Sequence, residues 1–175
     1  MITIQKIEPN EVELLLKVAK ASFIASHGMS AKPEEIQAYI SEKYTIKQFE
    51  EELKNCLNHY FFIRYNDEIA GFSKLVFNHS FSEKEISQIS KLERLYLLEK
   101  YYDLKLGFQL FAFNVELAKK NHQKGIWLYV WTENYRALKF YEKAGFKIIG
   151  KHDFKISENH SNPNYQLFLS FKEGD

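Results

Sequence analysis

The sequence predicts an α/β protein with a mixed β-sheet. Stretches in which apolar residues recur every three or four positions are interspersed with stretches of strand-like alternation. The predicted order of elements is β, α, α, α, β, β, β, α, β, α, β, β. With 175 residues, of which 45% are hydrophobic, the chain is long and apolar enough for one packed domain over residues 1–175.

The N-terminal elements are predicted to be one strand and three helices. Residues 2–7 alternate apolar and polar side chains, as a strand does. Asn10 is predicted to cap the first helix, which ends near residue 25, and Pro33 to lie in the first turn of the second. Thr45 is predicted to cap the third helix. The apolar pattern of that helix reaches Cys56, so we predict a buried structural thiol there rather than a nucleophile.

The middle of the chain is predicted to form a hairpin and a further strand. Residues 60–65 and 69–76 are strand-like and are separated by the turn residues 66–68. Residues 78–90 are polar and are predicted to be a loop or a ragged extension of the hairpin. Residues 91–98 are predicted to be the next strand.

The remaining elements alternate between helix and strand until a final loop and strand. They are a helix over 106–120, a strand over 126–131, a helix over 134–144, a strand over 146–150, a loop over 157–164 and a strand over 165–171.

The segment 134–146 carries the most informative pattern. Asn134 can cap a helix through its side chain, and Gly145 suits the left-handed residue that ends one. The apolar residues between them share one helical face. They are Ala137, Leu138, Tyr141 and Ala144.

This segment resembles the C-terminal motif of the GNAT superfamily of acyl-CoA N-acetyltransferases, Asn-x-x-Ala-x-x-Phe-Tyr-x-x-x-Gly-Phe after a strand. The predicted order of elements also matches the GNAT fold, a mixed and mostly antiparallel central sheet that is splayed in the middle and flanked by helices. The resemblance implies acetyl-CoA as co-substrate and no metal. It also implies that Asn134, Ala137 and Tyr141 contact the cofactor, with the Tyr141 hydroxyl near its sulfur.

The pyrophosphate pattern of the family, Gln/Arg-x-x-Gly-x-Gly/Ala, falls on residues 102–107, and only Gly107 agrees with it. Tyr102 replaces the usual Gln or Arg. Lys105 replaces the first glycine, where a side chain crowds the phosphate or strains the backbone, although its ammonium can pair with a phosphate oxygen. The residues that the resemblance implies in this part of the cofactor site are Tyr102, Asp103, Leu104, Lys105, Leu106, Gly107 and Phe108.

The strand before this loop is implied to pair its main chain, at Leu95, Tyr96 and Leu97, with the pantetheine arm. Acetyl transfer also needs a neutral amine, a stabilised oxyanion and a proton for the leaving thiolate. We predict that Tyr141 supplies this proton and that a backbone N–H near Leu97 stabilises the oxyanion. Tyr96 is a candidate for contacting the acceptor.

For the general base we predict Glu93, on the strand that edges the cleft. A surface carboxylate paired with Arg94 or Lys91 is the structural alternative, and bulk water is the chemical one. The isolated histidines are predicted to be surface or loop residues, and no histidine–carboxylate pair has the spacing of metal ligands. These histidines are His79, His122 and His152.

Several segments are similar to the bacterial spermidine/spermine N-acetyltransferase branch, which implies a primary amine, with a polyamine as the candidate acceptor. They include 22–23, 33–34, 38–39, 61–63, 68–71, 93–97 and 126–134. Five carboxylates could serve a polycation or could equally be solvated charges. These are Glu34, Glu35, Glu93, Asp153 and Glu158.

Three other functions stay open. The acceptor could be a peptide or protein amine, or an aminoglycoside-like compound. The atypical loop at Tyr102 and Lys105 also leaves open an acyl-CoA sensor or interaction module without catalysis, although Asn134 and Tyr141 argue for an enzyme.

Composition narrows the partners and the location. A formal net charge of +1 gives no field to recruit nucleic acid or an anionic membrane. No apolar run approaches the roughly 20 residues that span a bilayer. With one cysteine and no signal-peptide pattern, we expect a cytoplasmic protein. Dimerisation is common in the family, so a homodimer is a candidate assembly.

Overall fold

The computed structural model describes residues 1–81 and 88–171. Its strands are β1 (Ile2–Lys6), β2 (Asn58–Tyr65), β3 (Glu68–Val76), β4 (Ser90–Leu97), β5 (Gly125–Trp131), β6 (Lys147–Lys155) and β7 (Ser161–Ser170). Its α-helices are α1 (Val12–His27), α2 (Pro33–Lys43), α3 (Ile46–Lys54), α4 (Leu106–Lys120) and α5 (Tyr135–Lys143). Short 3₁₀ turns lie at Pro9–Glu11 and Glu99–Tyr101.

The strands form one seven-stranded sheet in the order β1-β2-β3-β4-β5-β7-β6. Only the β4–β5 pair is parallel among these described strands, and every other neighbouring pair is antiparallel. The predicted mixed, mostly antiparallel sheet is therefore confirmed.

Helices cover both faces of the sheet, and successive buried residues of β2 point to opposite faces. Tyr60 and Phe62 pack into a core cluster with α1, α2 and α3. Phe61 and Ile63 point the other way, into a cluster with α4. A third cluster joins α4 to α5 over β4, β5 and β7. The sheet is thus a central layer between two helical layers.

The sheet is splayed between β4 and β5, as the resemblance implied. These strands pair only at Ser90–Ile126 and Lys91–Trp127, and their pairing stops there. Glu93 is an extra residue in the β3–β4 ladder, because Leu75 pairs with Leu92 and Lys74 with Arg94. Such a bulge bends and twists its strand. It therefore helps to turn β4 away from β5.

The helix signals in the sequence are mostly confirmed. Thr45 caps α3 by accepting the Gln48 N–H at 3.2 Å, and Pro33 is the first residue of α2. Gly145 has φ +91°, the left-handed value expected after α5. Asn10 was predicted wrongly as a cap, because it lies inside the Pro9–Glu11 turn. There the Glu11 carboxylate accepts the Glu8 N–H at 3.0 Å.

The predicted loop 157–164 is partly wrong. β6 continues to Lys155 and β7 begins at Ser161, so the two strands form a hairpin closed by bonds from Ile156 and Ser157 to the His160 carbonyl. β6 is an edge strand that is exposed along most of its length. An exposed edge strand does not need apolar residues at alternate positions. Because the strands were predicted from such alternation, this part of the hairpin was predicted as a loop. β4 also begins at Ser90 within the predicted loop 78–90, of which residues 82–87 lie outside the described residues.

The prediction of a buried Cys56 is wrong, because its side chain is exposed. α3 ends at Lys54, and the following residues form a turn in which the Asn58 N–H bonds the Asn55 carbonyl at 3.0 Å. Cys56 is therefore in a turn and not on the apolar face of a helix. No helix of the described chain is long and apolar enough to cross a membrane.

Candidate active site

A cleft of about 1220 Å³ passes through the sheet where β4 and β5 diverge. One end is lined by the loop before α4 and by α5, and the other by α1, α2 and the β6–β7 hairpin. Pockets for drug-sized ligands have volumes of roughly 300–1,000 Å³. The cleft therefore has room for a long cofactor and a second small molecule.

The loop 102–107, hereafter the phosphate loop, lies at one end of the cleft. Asp103 and Lys105 have φ values of +66° and +58°, so two non-glycine residues adopt the left-handed conformation. Each costs roughly 1–2 kcal/mol relative to a relaxed residue. The backbone thus keeps a glycine-like shape at Lys105. A Cβ added at Gly107 would meet only the Leu97 side chain, at 3.5 Å, so the loop stays open there.

The phosphate loop fits an anion. The first helical bond of α4 runs from the Gln109 N–H to the Lys105 carbonyl, at 3.3 Å. The N–H groups of residues 106–108 therefore lack helical partners and form the positive end of the helix dipole. Leu104 and Phe108 beside them are exposed.

Arg136 of α5 completes this basic end. Its guanidinium lies 3.8 Å from the centre of the Tyr102 ring and donates to the Asp103 carboxylate at 3.1 Å. Lys139 and Lys143 line the same part of the cleft. We call Arg136, Lys139 and Lys143 the basic face of α5, since their spacing of three and four places them on one side. The sequence reasoning missed them, although this spacing was readable.

Tyr141 and Asn134 lie where the basic end meets the splay. Asn134 accepts the Ala137 N–H at 3.1 Å, which confirms its role as a helix cap. Tyr141 is 8% exposed and lies 5.3 Å from the Phe146 ring. Burial, together with the nearby Tyr96, raises the pKa of Tyr141 well above that of a free phenol. Tyr141 is therefore protonated at neutral pH and can donate a proton.

β4 presents one main-chain edge to the cleft. Leu95, Tyr96 and Leu97 pair with β3 on their other side, and their registered pairing with β5 has already ended. Their remaining edge can therefore bond an extended ligand as an added strand would. Burial raises the pKa of Tyr96 to about 12, so its phenol is protonated as well.

Glu93 is held between two lysines. Its carboxylate lies 2.7 Å from the Lys74 ammonium and 3.5 Å from that of Lys91. Burial by itself raises the pKa of Glu93, but Lys74 and Lys91 outweigh it and lower the pKa to about 2. The carboxylate is thus ionised but weakly basic. Of the two partners that the sequence suggested, Lys91 pairs with Glu93 and Arg94 pairs with Glu52.

A buried charge network lies behind Glu93. Glu52 of α3 accepts from Lys74 at 2.7 Å, from Arg94 at 3.1 Å, and from the Tyr60 hydroxyl. The Arg94 guanidinium lies 4.7 Å from the centre of the Phe49 ring. Alternating charges with these hydrogen bonds offset the cost of burying them. The network ties α3 to β2, β3 and β4 beneath the cleft.

Aromatic side chains line the far end of the cleft, and we call this set the aromatic wall. Phe23 stacks on His27 at 5.0 Å and on Tyr39 at 5.2 Å between ring centres. His27 also lies 6.2 Å from Tyr96 and 6.1 Å from Trp131. Six cleft-lining residues make up the wall. They are Phe23, His27, Tyr39, Tyr96, Trp131 and Phe154.

His27 is a cleft residue that the sequence reasoning missed. Burial lowers its pKa to about 4, so the imidazole is neutral at pH 7. Its Nδ1 lies 2.7 Å from the Ser26 Oγ. Its place at the end of α1, before Gly28, gave no signal that a distant part of the chain would enclose it. The histidines predicted to be at the surface are exposed, namely His79, His122 and His152.

The five carboxylates that the sequence offered as partners of a polycationic acceptor do not lie together in the cleft. Glu93 lines the cleft, whereas Glu34, Glu35, Asp153 and Glu158 do not. Glu35 instead accepts the Ser157 hydroxyl at 2.6 Å, between α2 and the β6–β7 hairpin.

Comparison with known proteins found a family model, curated relatives and solved structures that are similar to this chain. Residues 25–146 match the model of the Acetyltransferase (GNAT) family. A spermidine N(1)-acetyltransferase of Thermoplasma acidophilum is 29% identical over 151 residues, which cover 84% of this chain and 89% of the relative. An uncharacterised N-acetyltransferase of Lactobacillus delbrueckii subsp. lactis is 22% identical over 158 residues, covering 90% and 91%.

Among solved structures, the PaiA N-acetyltransferase of Thermoplasma acidophilum, in complex with coenzyme A, is similar with a TM-score of 0.78. It is 24% identical, and the match covers 98% of this chain and 99% of that one. This likeness confirms the predicted fold.

Proposed function

Because the chain belongs to the GNAT acetyltransferase family, we propose that its cleft transfers the acetyl group of acetyl-CoA to a primary amine in a ternary complex. Acetyl-CoA-dependent N-acetyl transfer is the activity of this family. One observation carries the proposal. The splay between β4 and β5 opens a passage that joins a basic loop at one end to an aromatic pocket at the other, with Tyr141 between them.

The basic end suits the cofactor. The phosphate loop and the basic face of α5 offer helix N–H groups and four cationic side chains to a pyrophosphate. The atypical residues fit this role together, because Tyr102 supports Arg136 by stacking and Arg136 supplies the positive charge that Tyr102 lacks. The free edge at Leu95, Tyr96 and Leu97 suits the amide groups of a pantetheine arm, beside Asn134 and Ala137. Acetyl-CoA supplies the activated thioester.

Two groups have proposed roles at the reacting atoms. The amine nitrogen attacks the acetyl carbon, and the thiolate leaves. The Tyr141 hydroxyl donates a proton to this thiolate, since its raised pKa keeps it protonated until then, and the phenolate that results takes a proton back from solvent. A backbone N–H near Leu97 faces the cleft and stabilises the oxyanion.

Glu93, which the sequence predicted as the general base, has an indirect role in this proposal. A carboxylate with a pKa of about 2 is too weak a base to hold a proton taken from an ammonium. We therefore assign to Glu93 the role of orienting a water molecule that passes the proton of the amine to bulk solvent. Bulk water without Glu93 is the competing route, and Glu93→Gln separates the two by its effect on kcat/KM.

The likeness to spermidine N(1)-acetyltransferase supports a polyamine as the first acceptor to test. The non-catalytic alternative depended on the atypical phosphate loop. The Tyr102–Arg136 pair weakens that argument, since it restores a cation to the loop.

The test combines binding with turnover. Isothermal titration with acetyl-CoA should show micromolar-range binding that weakens in Lys105→Ala. Release of free thiol should then be followed with spermidine, spermine and simple primary amines. A Cys56→Ser background avoids the signal of the exposed native thiol. Absence of acetyl-CoA binding by the wild-type protein would refute the proposal, and binding without acetylation of any amine would leave the acyl-CoA sensor.

A further inference from the structure

The acceptor end of the cleft carries little free negative charge. Among the described residues that line the whole cleft, the carboxylates are Glu93 and Asp103, against six basic side chains. Asp103 lies in the phosphate loop and accepts from Arg136. Glu93 is already paired with Lys74 and Lys91. Neither carboxylate is therefore free to neutralise a second ammonium on an acceptor.

The other ionisable side chains near the acceptor are cationic or neutral. Lys91 reaches over the Trp127 ring, 5.1 Å from its centre, and lines the cleft. Arg94 lines it too, but its guanidinium is committed to Glu52 and Tyr60. His27 is uncharged at neutral pH, because burial lowers its pKa. An additional ammonium would meet like charges in this low-dielectric pocket.

The reacting nitrogen differs from any other nitrogen of the acceptor. It must be neutral when it attacks, so a monoamine leaves no net charge in the pocket at that moment. A diamine or polyamine retains at least one ammonium, which loses its hydration against the aromatic wall. Cation–π attraction by the rings recovers only part of the cost of burying an unpaired ion.

The aromatic wall suits an aromatic body. Its rings come from five parts of the chain, and two of their contacts, Phe23 with His27 and Phe23 with Tyr39, are stacked. Phe23 and His27 lie on α1, Tyr39 on α2, Tyr96 on β4, Trp131 on β5 and Phe154 on β6. An aryl group packed among such rings gains stacking beyond its burial. We propose, on the basis of the proposed function, that the acceptor is an arylalkylamine with a single amino group rather than a polyamine.

The central test compares amines of matched length that differ in charge. Pentylamine and cadaverine share a five-carbon chain, and cadaverine has a second amino group. We expect kcat/KM for pentylamine to exceed that for cadaverine by at least about tenfold, because of the unpaired second charge. Phenethylamine should be a better acceptor than pentylamine by about threefold or more. If turnover is too slow to measure, affinities for the protein–CoA complex should rank the amines in the same order.

Two variants tie the ranking to named residues. In Lys91→Met, kcat/KM for cadaverine should approach that for pentylamine. Glu93 loses one of its two cations in this variant and can pair with the second ammonium of cadaverine. Lys155→Met, at an exposed position of β6, is its control and should not change this ratio. Tyr39→Leu removes one ring and should lower the ratio of phenethylamine to pentylamine, and it should not improve cadaverine relative to pentylamine because cation–π attraction is lost with the ring.

The outcomes separate the two proposals. If cadaverine or spermidine matches or exceeds pentylamine, the monoamine inference is overturned, while the acetyltransferase proposal stands. An unchanged amine ranking in Lys91→Met and Tyr39→Leu would also overturn the inference. If no amine is acetylated and none binds the CoA complex, the proposed function fails and the inference fails with it.

Discussion

The two ends of the cleft are assembled in different ways. The basic end takes its groups from two short segments, the phosphate loop with the start of α4, and α5. The acceptor end collects side chains from α1, α2, β4, β5 and the β6–β7 hairpin, and it rests on a charge network that joins α3 to the sheet. We therefore expect cofactor binding to depend mainly on these two segments, and acceptor choice to depend on the packing of elements that are distant in the chain.

The largest effect is expected beneath the acceptor end, in Lys74→Met. This change leaves Glu52 and Glu93 without their shared ammonium, and breaking such a buried pair costs about 3–5 kcal/mol in free energy of unfolding. Urea denaturation measures the loss. Lys100→Met is the matched control, because its ion pair with Glu68 is exposed and should contribute nothing measurable. Equal stabilities of the two variants would show that the network does not support the fold.

Between the two ends, Tyr141→Phe should lower kcat by about a hundredfold, because it removes the proposed proton donor. The dissociation constant of acetyl-CoA should stay nearly constant, since the ring and its packing remain. Tyr135→Phe, on the exposed side of the same helix, should leave both quantities unchanged. An unchanged kcat in Tyr141→Phe would remove the hydroxyl from the mechanism.

At the basic end, Arg136→Leu should weaken coenzyme A binding by about tenfold, as expected for the loss of one charge-assisted contact. Titration with pantetheine, which lacks the phosphates, should show no loss. Lys120→Leu, at the far end of α4, serves as a control for the loss of one positive charge. A loss of pantetheine affinity equal to that of coenzyme A would mean that Arg136 only stabilises the loop.

The acceptor end should also show a pH dependence through His27. Burial lowers its pKa in the folded state to about 4, from the value of 6.5 for a solvent-exposed histidine. The neutral imidazole therefore contributes stability that is full above pH 6.5 and is lost as the pH falls toward 4. In His27→Phe, the free energy of unfolding should change less with pH across this interval, as measured by denaturation at several pH values. A slope identical to that of the wild type would contradict burial of this ring.

The smallest effect is expected in the phosphate loop, from Lys105→Gly. Glycine relieves the left-handed strain and should stabilise the fold by about 0.5–1 kcal/mol relative to Lys105→Ala, which keeps the strain. Both variants lose the ammonium, so their affinities for acetyl-CoA should fall together. If Lys105→Gly is not more stable than Lys105→Ala, the loop is not strained at this residue.

The sequence predicted what depends on neighbouring residues. The cap at Asn134, the glycine at position 145 and the periodicity between them are properties of a single turn or helix, so the segment 134–146 was readable directly. The hairpin of β2 and β3 was predicted for the same reason, since its strands and turn are contiguous. The unusual backbone conformation at Lys105 was visible too, because Lys105 replaces the first glycine of the pyrophosphate pattern of the family.

Tertiary structure decided what depends on residues far apart in the chain. The state of Glu93 is set by Lys74, which lies on the neighbouring strand, and His27 becomes a wall residue only because Tyr96 and Trp131 enclose it. Cys56 was misplaced because a turn at Asn55 ends the helix that its spacing suggested. The sequence by itself therefore determined the family and the phosphate loop, which depends on its own segment of backbone, whereas the basic face of α5 was not predicted. The charge and shape of the acceptor end arise only when several elements are packed together.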